Sequence, residues 1–160
     1  MRKTFVKTLL ELAEKHPGLT VVTADLGYSV FEPFMKARPK QYLNVGVAEA
    51  DMIGISAGLA LSGKRPIAYS ITPFITARPL EQIRVDVCYH NLPVIMVGTG
   101  AGLCYGTLGP THHGTEDLSL MRILPNMTVA APCDPHELAA LLVQGFRLAK
   151  PFYMRIGRAT

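Results

Sequence analysis

Residues 44–60 read N-V-G-V-A-E-A-D-M-I-G-I-S-A-G-L-A, and one acidic side chain, Glu49, stands in front of an almost wholly apolar run. The run predicts a helix from about residue 48 to residue 62, with Gly63 as its C-cap. A helix that is apolar on all faces is expected to be buried, and Glu49 with it. Because a buried carboxylate is costly unless it has a partner, Glu49 is a functional candidate. The alternative is a helix-start carboxylate that faces water.

Short apolar strands alternate with helical segments on both sides of this stretch. Strands are predicted at 19–24, 42–45, 66–69, 94–97, 127–130 and 152–155, and further helices at 3–15, 31–38, 79–90, 115–122 and 135–149. Strands that are apolar on both faces are typical of a parallel sheet covered by helices on each side. We therefore predict one α/β domain over residues 1–160, with three α/β/α layers and a mainly parallel sheet of roughly six strands.

Three predicted loops should meet at one edge of this sheet. They cover residues 25–30, 70–78 and 98–114, and the last contains six glycines. Open parallel sheets bind ligands beyond the carboxyl ends of their strands, and these loops follow such ends. Glu49 also follows a strand, so we expect it at the same edge.

The composition argues against several classes of function. The chain is 49% hydrophobic and 18% charged, with a net charge of +4 and three separated cysteines. No apolar run reaches the roughly 20 residues of a membrane span, and no long basic run indicates nucleic-acid binding. Without a signal-peptide pattern, the odd cysteine count favours reduced thiols and a cytoplasmic location. The high apolar content indicates burial on both sheet faces, or a surface that another subunit covers.

Four strings, taken in order, resemble the pyrimidine-binding (Pyr) domain of transketolase-like enzymes that depend on thiamine diphosphate. They are residues 44–60, A-D-L-G-Y-S at 24–29, G-P-T-H-H-G at 109–114 and L-P-N-M-T-V-A-A-P-C-D-P at 124–135. The resemblance covers nearly the whole chain and implies the same fold. It also implies that Glu49 is catalytic and hydrogen-bonds N1′ of the cofactor's aminopyrimidine, which activates the cofactor as an electron sink.

The resemblance implies three more cofactor contacts. Phe74 matches an aromatic residue on which the aminopyrimidine stacks, and Ile71 stands at the position of a second aromatic residue. Asp25 matches a residue close to the cofactor. An ordinary core position for Phe74 and a turn carboxylate for Asp25 remain as alternatives.

Substrate contacts follow from the same resemblance. His112, with its neighbour His113, matches a histidine that contacts substrate hydroxyls. Three residues match family residues that bind a substrate phosphate: Arg2, Ser29 and Arg158. A guanidinium suits this role because it can donate two parallel hydrogen bonds to a phosphate. Taken singly, these three are also explained as surface residues. Adjacent histidines rarely converge on one ion, so no metal site is predicted in this chain.

Two residues depart from the pattern of transketolases that act on sugar phosphates. Leu108 stands where an aspartate usually precedes G-P-T-H, and Gly100 stands where a histidine begins the loop. In the family, that aspartate and that histidine both contact sugar hydroxyls. The resemblance therefore implies a substrate other than a standard pentose phosphate.

The 160 residues also contain no G-D-G motif, with which the family binds the diphosphate and its Mg²⁺, and we expect the C-terminal transketolase domain to be absent from this chain as well. The resemblance therefore implies a split enzyme in which a second, diphosphate-binding subunit holds Mg²⁺. We expect a heterotetramer that transfers two-carbon ketol units.

Other functions stay open at this point. A subunit resembling deoxyxylulose-phosphate synthase or the β subunit of 2-oxoacid dehydrogenases would keep the cofactor and change the reaction. A non-catalytic structural or regulatory partner would keep only the fold. The sequence is also compatible with a domain excised from a longer chain.

Overall fold

Six strands form the sheet in the computed structural model, which describes residues 1–157. They are β1 (Leu19–Thr23), β2 (Tyr42–Asn44), β3 (Arg65–Ile71), β4 (Ile95–Thr99), β5 (Thr128–Ala130) and β6 (Phe152–Ile156). All neighbouring pairs are parallel, in the order β2-β1-β3-β4-β6-β5. The chain changes direction across the sheet between β1 and β3, and such a point favours ligand binding beyond the carboxyl ends of the strands.

Helices cover both faces of the sheet. They are α1 (Arg2–Lys15), α2 (Glu32–Ala37), α3 (Glu49–Leu61), α4 (Thr72–Thr76), α5 (Leu80–Gln82), α6 (Asp117–Arg122) and α7 (Pro135–Leu148). A π-helix (Ile83–Tyr89) continues α5, and 3₁₀ turns cover Pro39–Gln41 and Gly106–Leu108. The core cluster on one face takes side chains from α1, α2 and α7, and that on the other face from α3, α4, α6 and the π-helix. The predicted three-layer α/β/α fold is confirmed.

Alternate side chains of the four inner strands, β1, β3, β4 and β6, fill the two core layers. In β4, Ile95 and Val97 join the cluster under α1 and α7, whereas Met96 joins the cluster under α3. In β6, Met154 and Tyr153 divide in the same way. This alternation explains why the strands are apolar on both faces.

Two loop predictions need correction. Residues 72–76 form α4 instead of a loop, because β3 runs on to Ile71 and Pro73 lies in the first helical turn, where its missing N–H costs nothing. The predicted loop 98–114 starts later, since β4 continues to Thr99, and it contains the turn Gly106–Leu108.

α3 begins at Glu49 as predicted and ends before Gly63, whose φ of 82° suits glycine. However, α3 is not buried all round. It packs Met52 and Ile53 into the core, while Ile55 and Leu61 are 38% and 69% exposed. An apolar outer face therefore remains on this helix.

No helix within residues 1–157 combines the length and the apolar character needed to cross a membrane.

Candidate active site

Glu49 lies at the turn that leads from β2 into α3. Gly46, with φ of 78°, reverses the chain, and its N–H donates a hydrogen bond of 3.1 Å to Oδ1 of Asn44. The Glu49 side chain is only 6% exposed, and its Oε1 accepts a hydrogen bond of 3.0 Å from Nη1 of Arg78. The buried carboxylate therefore has a cationic partner, which the sequence analysis missed.

Arg78 connects Glu49 to an aromatic group. Its Cζ lies 3.7 Å from the centroid of the Phe74 ring. That ring meets His112 edge-on, with 5.0 Å between centroids, and His112 in turn lies 5.6 Å from the ring of Tyr105. We call these five residues the Glu49 cluster. The structure thus brings together three predicted residues, Glu49, Phe74 and His112.

The two adjacent histidines point to different partners. Nδ1 of His112 lies 2.8 Å from Oγ1 of Thr111, while Nε2 of His113 lies 3.1 Å from the carbonyl oxygen of Gly106. Only His112 contacts Phe74 through its ring. In the part of the chain that the structure describes, no group of three or more His, Cys, Asp or Glu side chains is placed to hold a metal ion.

A buried ion pair holds the base of the histidine loop, which we define as residues 100–114 and which carries His112 and His113. Asp117 is 2% exposed and accepts hydrogen bonds from the Tyr153 hydroxyl at 2.6 Å and from Nε of Arg155 at 2.9 Å. A second nitrogen of Arg155, Nη2, bonds Asp117 Oδ1 and also donates to the Gly114 carbonyl at 2.7 Å. Burial, reinforced by the Asp117 charge, raises the pKa of Tyr153 well above its usual range. The arrangement fixes one end of the loop that carries His112.

Arg2 and Ser29 lie along one groove between α1 and α2. Arg2 also lines an adjoining cavity of about 190 Å³, together with Ile71 and Tyr105. Nε of Arg2 is buried and has no hydrogen-bond partner among residues 1–157. Because Ile71 lines the same cavity as Arg2, it lies on the side of the candidate active site that carries Arg2. The remaining predicted phosphate residue, Arg158, lies outside the described residues.

Asp25 connects the ends of two strands. Its carboxylate accepts hydrogen bonds from the Tyr28 hydroxyl at 2.8 Å and from Nδ2 of Asn44 at 3.2 Å. Both hydrogen bonds lower the pKa of Asp25, and the bond from Tyr28 has the larger effect. Asp25 therefore ties the end of β1 to the end of β2, next to the turn that places Glu49.

The two positions that depart from the family pattern lie in the histidine loop. Gly100 has a φ of 96°, and a Cβ at this position would overlap the ring of Tyr105. Tyr105 therefore fills the space that a side chain at position 100 would need. Leu108 ends the 3₁₀ turn and is 52% exposed.

Known proteins are similar to this chain in sequence and in fold. The family model for the pyrimidine-binding domain of transketolase matches residues 1–160. One of the subunits of the apulose-4-phosphate transketolase of Phocaeicola vulgatus is 41% identical over 159 residues, which are 99% of this chain and 51% of that protein. The 6-deoxy-6-sulfo-D-fructose transketolase subunit SqwH of Clostridium sp. (strain MSTE9) is 40% identical, over 99% of this chain and 49% of that protein. The chain thus spans about half the length of these curated relatives.

Solved structures agree with this match. A split-gene transketolase, described as an inactive β4 tetramer, superposes with a TM-score of 0.88 at 37% identity, over 99% of this chain and 51% of that one. The transketolase of Leishmania mexicana superposes with a TM-score of 0.88 at 26% identity, over 98% of this chain and 25% of that one. The chain therefore belongs to the family of transketolase pyrimidine-binding domains.

Proposed function

We propose that this chain is the pyrimidine-binding subunit of a split transketolase-like enzyme that transfers a two-carbon ketol unit. The observation that carries the proposal is the buried carboxylate of Glu49, which one guanidinium joins to the face of Phe74. An aminopyrimidine ring needs a carboxylate for its ring nitrogen and a flat apolar face on which to stack. Glu49 and Phe74 offer both, so the residues fit the pyrimidine half of thiamine diphosphate.

The chain's own residues then have separate tasks. When bound, the cofactor supplies an electron sink for cleavage and formation of C–C bonds. Glu49 holds or releases a proton at ring nitrogen N1′, and the buried surroundings keep water from competing for it. Phe74 supports the ring. His112, edge-on to Phe74, orients substrate hydroxyls.

We assign the diphosphate and Mg²⁺ to a second subunit. This proposal is supported by the names of the two curated relatives, each of which is called a subunit of a transketolase. It is also supported by the exposed apolar side chains on and beside α3, which include Val47 at 75% exposure and Leu61 at 69%. A diphosphate-binding subunit that covers this face would complete the site in a heterotetramer.

The substrate we propose is an anionic ketose other than a standard pentose phosphate. The buried Nε of Arg2, which lacks a partner among the described residues, supports an anionic group on the substrate. Two features of the loop favour a sugar of a different shape. Leu108 is exposed, and Tyr105 fills the space beside Gly100. The two curated relatives are named for apulose 4-phosphate and for 6-deoxy-6-sulfo-D-fructose.

Calorimetry on the assembled complex tests this proposal. The chain is mixed with a diphosphate-binding subunit that carries G-D-G and is titrated with thiamine diphosphate and Mg²⁺. We expect binding by the mixture and little by either subunit alone. Activity assays with ketose donors and with pyruvate then separate ketol transfer from the synthase-like and dehydrogenase-like alternatives. If no assembled complex binds the cofactor, the non-catalytic alternative is favoured.

A further inference from the structure

Arg78 makes both of the contacts that an aminopyrimidine would make. Its Nη1 donates to Glu49 at 3.0 Å, and its Cζ lies 3.7 Å from the centroid of Phe74. Phe74 and Arg78 are four residues apart, and the helical backbone of Ala77 (φ −75°, ψ −42°) continues α4 between them. Residues with this spacing share one helix face, so the guanidinium folds back over the ring.

The position of Arg78 excludes another planar group from the same place. Because one guanidinium touches Glu49 and Phe74 together, the ring face that it covers is the face turned toward Glu49. The 3.7 Å separation is van der Waals contact, which leaves no room for a second plane between them. A ring that stacks on this face and bonds to Glu49 must displace Arg78.

We propose that Arg78 occupies the position of the cofactor's aminopyrimidine before the cofactor binds, and that its guanidinium leaves the ring of Phe74 when the cofactor binds. We call this the placeholder role of Arg78. This inference rests on the proposed function. Before the cofactor arrives, Arg78 provides the 6% exposed carboxylate with a counterion, without which its burial would be costly. The Arg78 side chain is itself 48% exposed, so it can move into solvent.

Displacement of Arg78 lowers the apparent affinity for the cofactor. A cation over an exposed aromatic face and a partly exposed ion pair each correspond to a factor of roughly two to five in an equilibrium constant. Together they predict that removal of the Arg78 side chain tightens cofactor binding about tenfold.

Calorimetric titration of the assembled complex with thiamine diphosphate and Mg²⁺ tests the inference. Arg78→Ala is expected to bind about tenfold more tightly than wild type. Arg78→Lys keeps a charge near Glu49 but has no flat guanidinium, so an intermediate gain is expected. Arg84→Ala is the matched control, because Arg84 is 57% exposed and pairs with Glu81 at 2.9 Å, and its affinity should equal that of wild type.

Inorganic pyrophosphate provides a second control, because it has no ring to compete with Arg78. We expect Arg78→Ala and wild type to bind it equally. If the wild-type complex binds thiamine diphosphate and neither Arg78 variant binds it more tightly, the placeholder role is wrong and the proposed function stands. If the wild-type complex does not bind thiamine diphosphate, both are wrong. Arg78→Lys alone decides the question if Arg78→Ala does not fold.

Discussion

Replacement of Asp117 by asparagine should lower the free energy of unfolding by about 3 kcal/mol. The carboxylate is 2% exposed and receives hydrogen bonds from Tyr153 and from two nitrogens of Arg155, whose side chain is 19% exposed. Asparagine keeps the shape and loses the charge, so the guanidinium stays largely buried without its counterion. Breaking such a pair by removing one partner costs about 3–5 kcal/mol. We take the lower end, because Arg155 keeps its bond to the Gly114 carbonyl.

Urea unfolding followed by far-UV circular dichroism measures this loss, with linear extrapolation to water. For a chain of this length, about 3 kcal/mol corresponds to a fall in Tm of about 6–12 °C. Asp51→Asn is the matched control, because Asp51 is exposed in the first turn of α3, and its cost should stay below about 1 kcal/mol.

A double-mutant cycle tests the reason for the loss. Arg155→Met removes the other charge, so the double variant should be more stable than the sum of the two single losses predicts, by at least about 1 kcal/mol. Strict additivity, or a loss below about 1 kcal/mol for Asp117→Asn, would refute the reasoning.

Three further predictions concern other parts of the chain. Asp134 caps α7 by accepting hydrogen bonds of 2.8 Å from the N–H groups of residues 136 and 137, and these bonds lower its pKa below the ordinary 3.8. Asp134→Ala should therefore lower Tm at neutral pH, and the difference from wild type should shrink as the pH falls through the lowered pKa. Burial raises the pKa of Cys88 to about 11, so iodoacetamide at about pH 8 should label exposed Cys104 and spare Cys88 until the chain unfolds, as read by mass spectrometry. Gly98→Ala should cost about 1–3 kcal/mol in urea unfolding, because a Cβ would lie 2.5 Å from the Tyr153 hydroxyl oxygen.

Each of these has a result that contradicts it. A constant Tm difference for Asp134→Ala down to about pH 2 would mean that the carboxylate charge does not stabilise the helix. Rapid labelling of Cys88 in the folded chain would show that this thiol is accessible. Wild-type stability of Gly98→Ala would show that the space next to Tyr153 is open, and Gly54→Ala is the control, because a Cβ at that position would have no neighbour within 4 Å.

Local sequence patterns predict most of the fold. The inner strands are apolar on both faces because their successive side chains enter two different cores, and this leaves apolar runs that can be recognised without a structure. Asp134 is followed directly by Pro135, a pair typical of a helix start, and in the structure the Asp134 side chain caps α7. α4 was missed because five residues containing two threonines and a proline have no helical periodicity.

The candidate site was predictable only in part. Glu49 stands out because its carboxylate interrupts an apolar run. Its partner Arg78 is 29 positions away, and no local pattern pairs them. Two signals could have found Arg78: the need of a buried carboxylate for a cation, and the four-residue spacing from Phe74. The overlap of Tyr105 with the Cβ position of Gly100 depends on loop packing, which composition does not encode.

We propose that Glu49 exchanges a proton with the bound cofactor. The most direct test is the rate of two-carbon transfer from a ketose donor by the assembled complex, with Glu49→Gln in place of wild type. Glutamine keeps the size of the side chain and an acceptor oxygen but cannot exchange the proton. We predict a fall in kcat of about a hundredfold or more, with an unfolding midpoint close to that of wild type. A kcat close to that of wild type would contradict the claim.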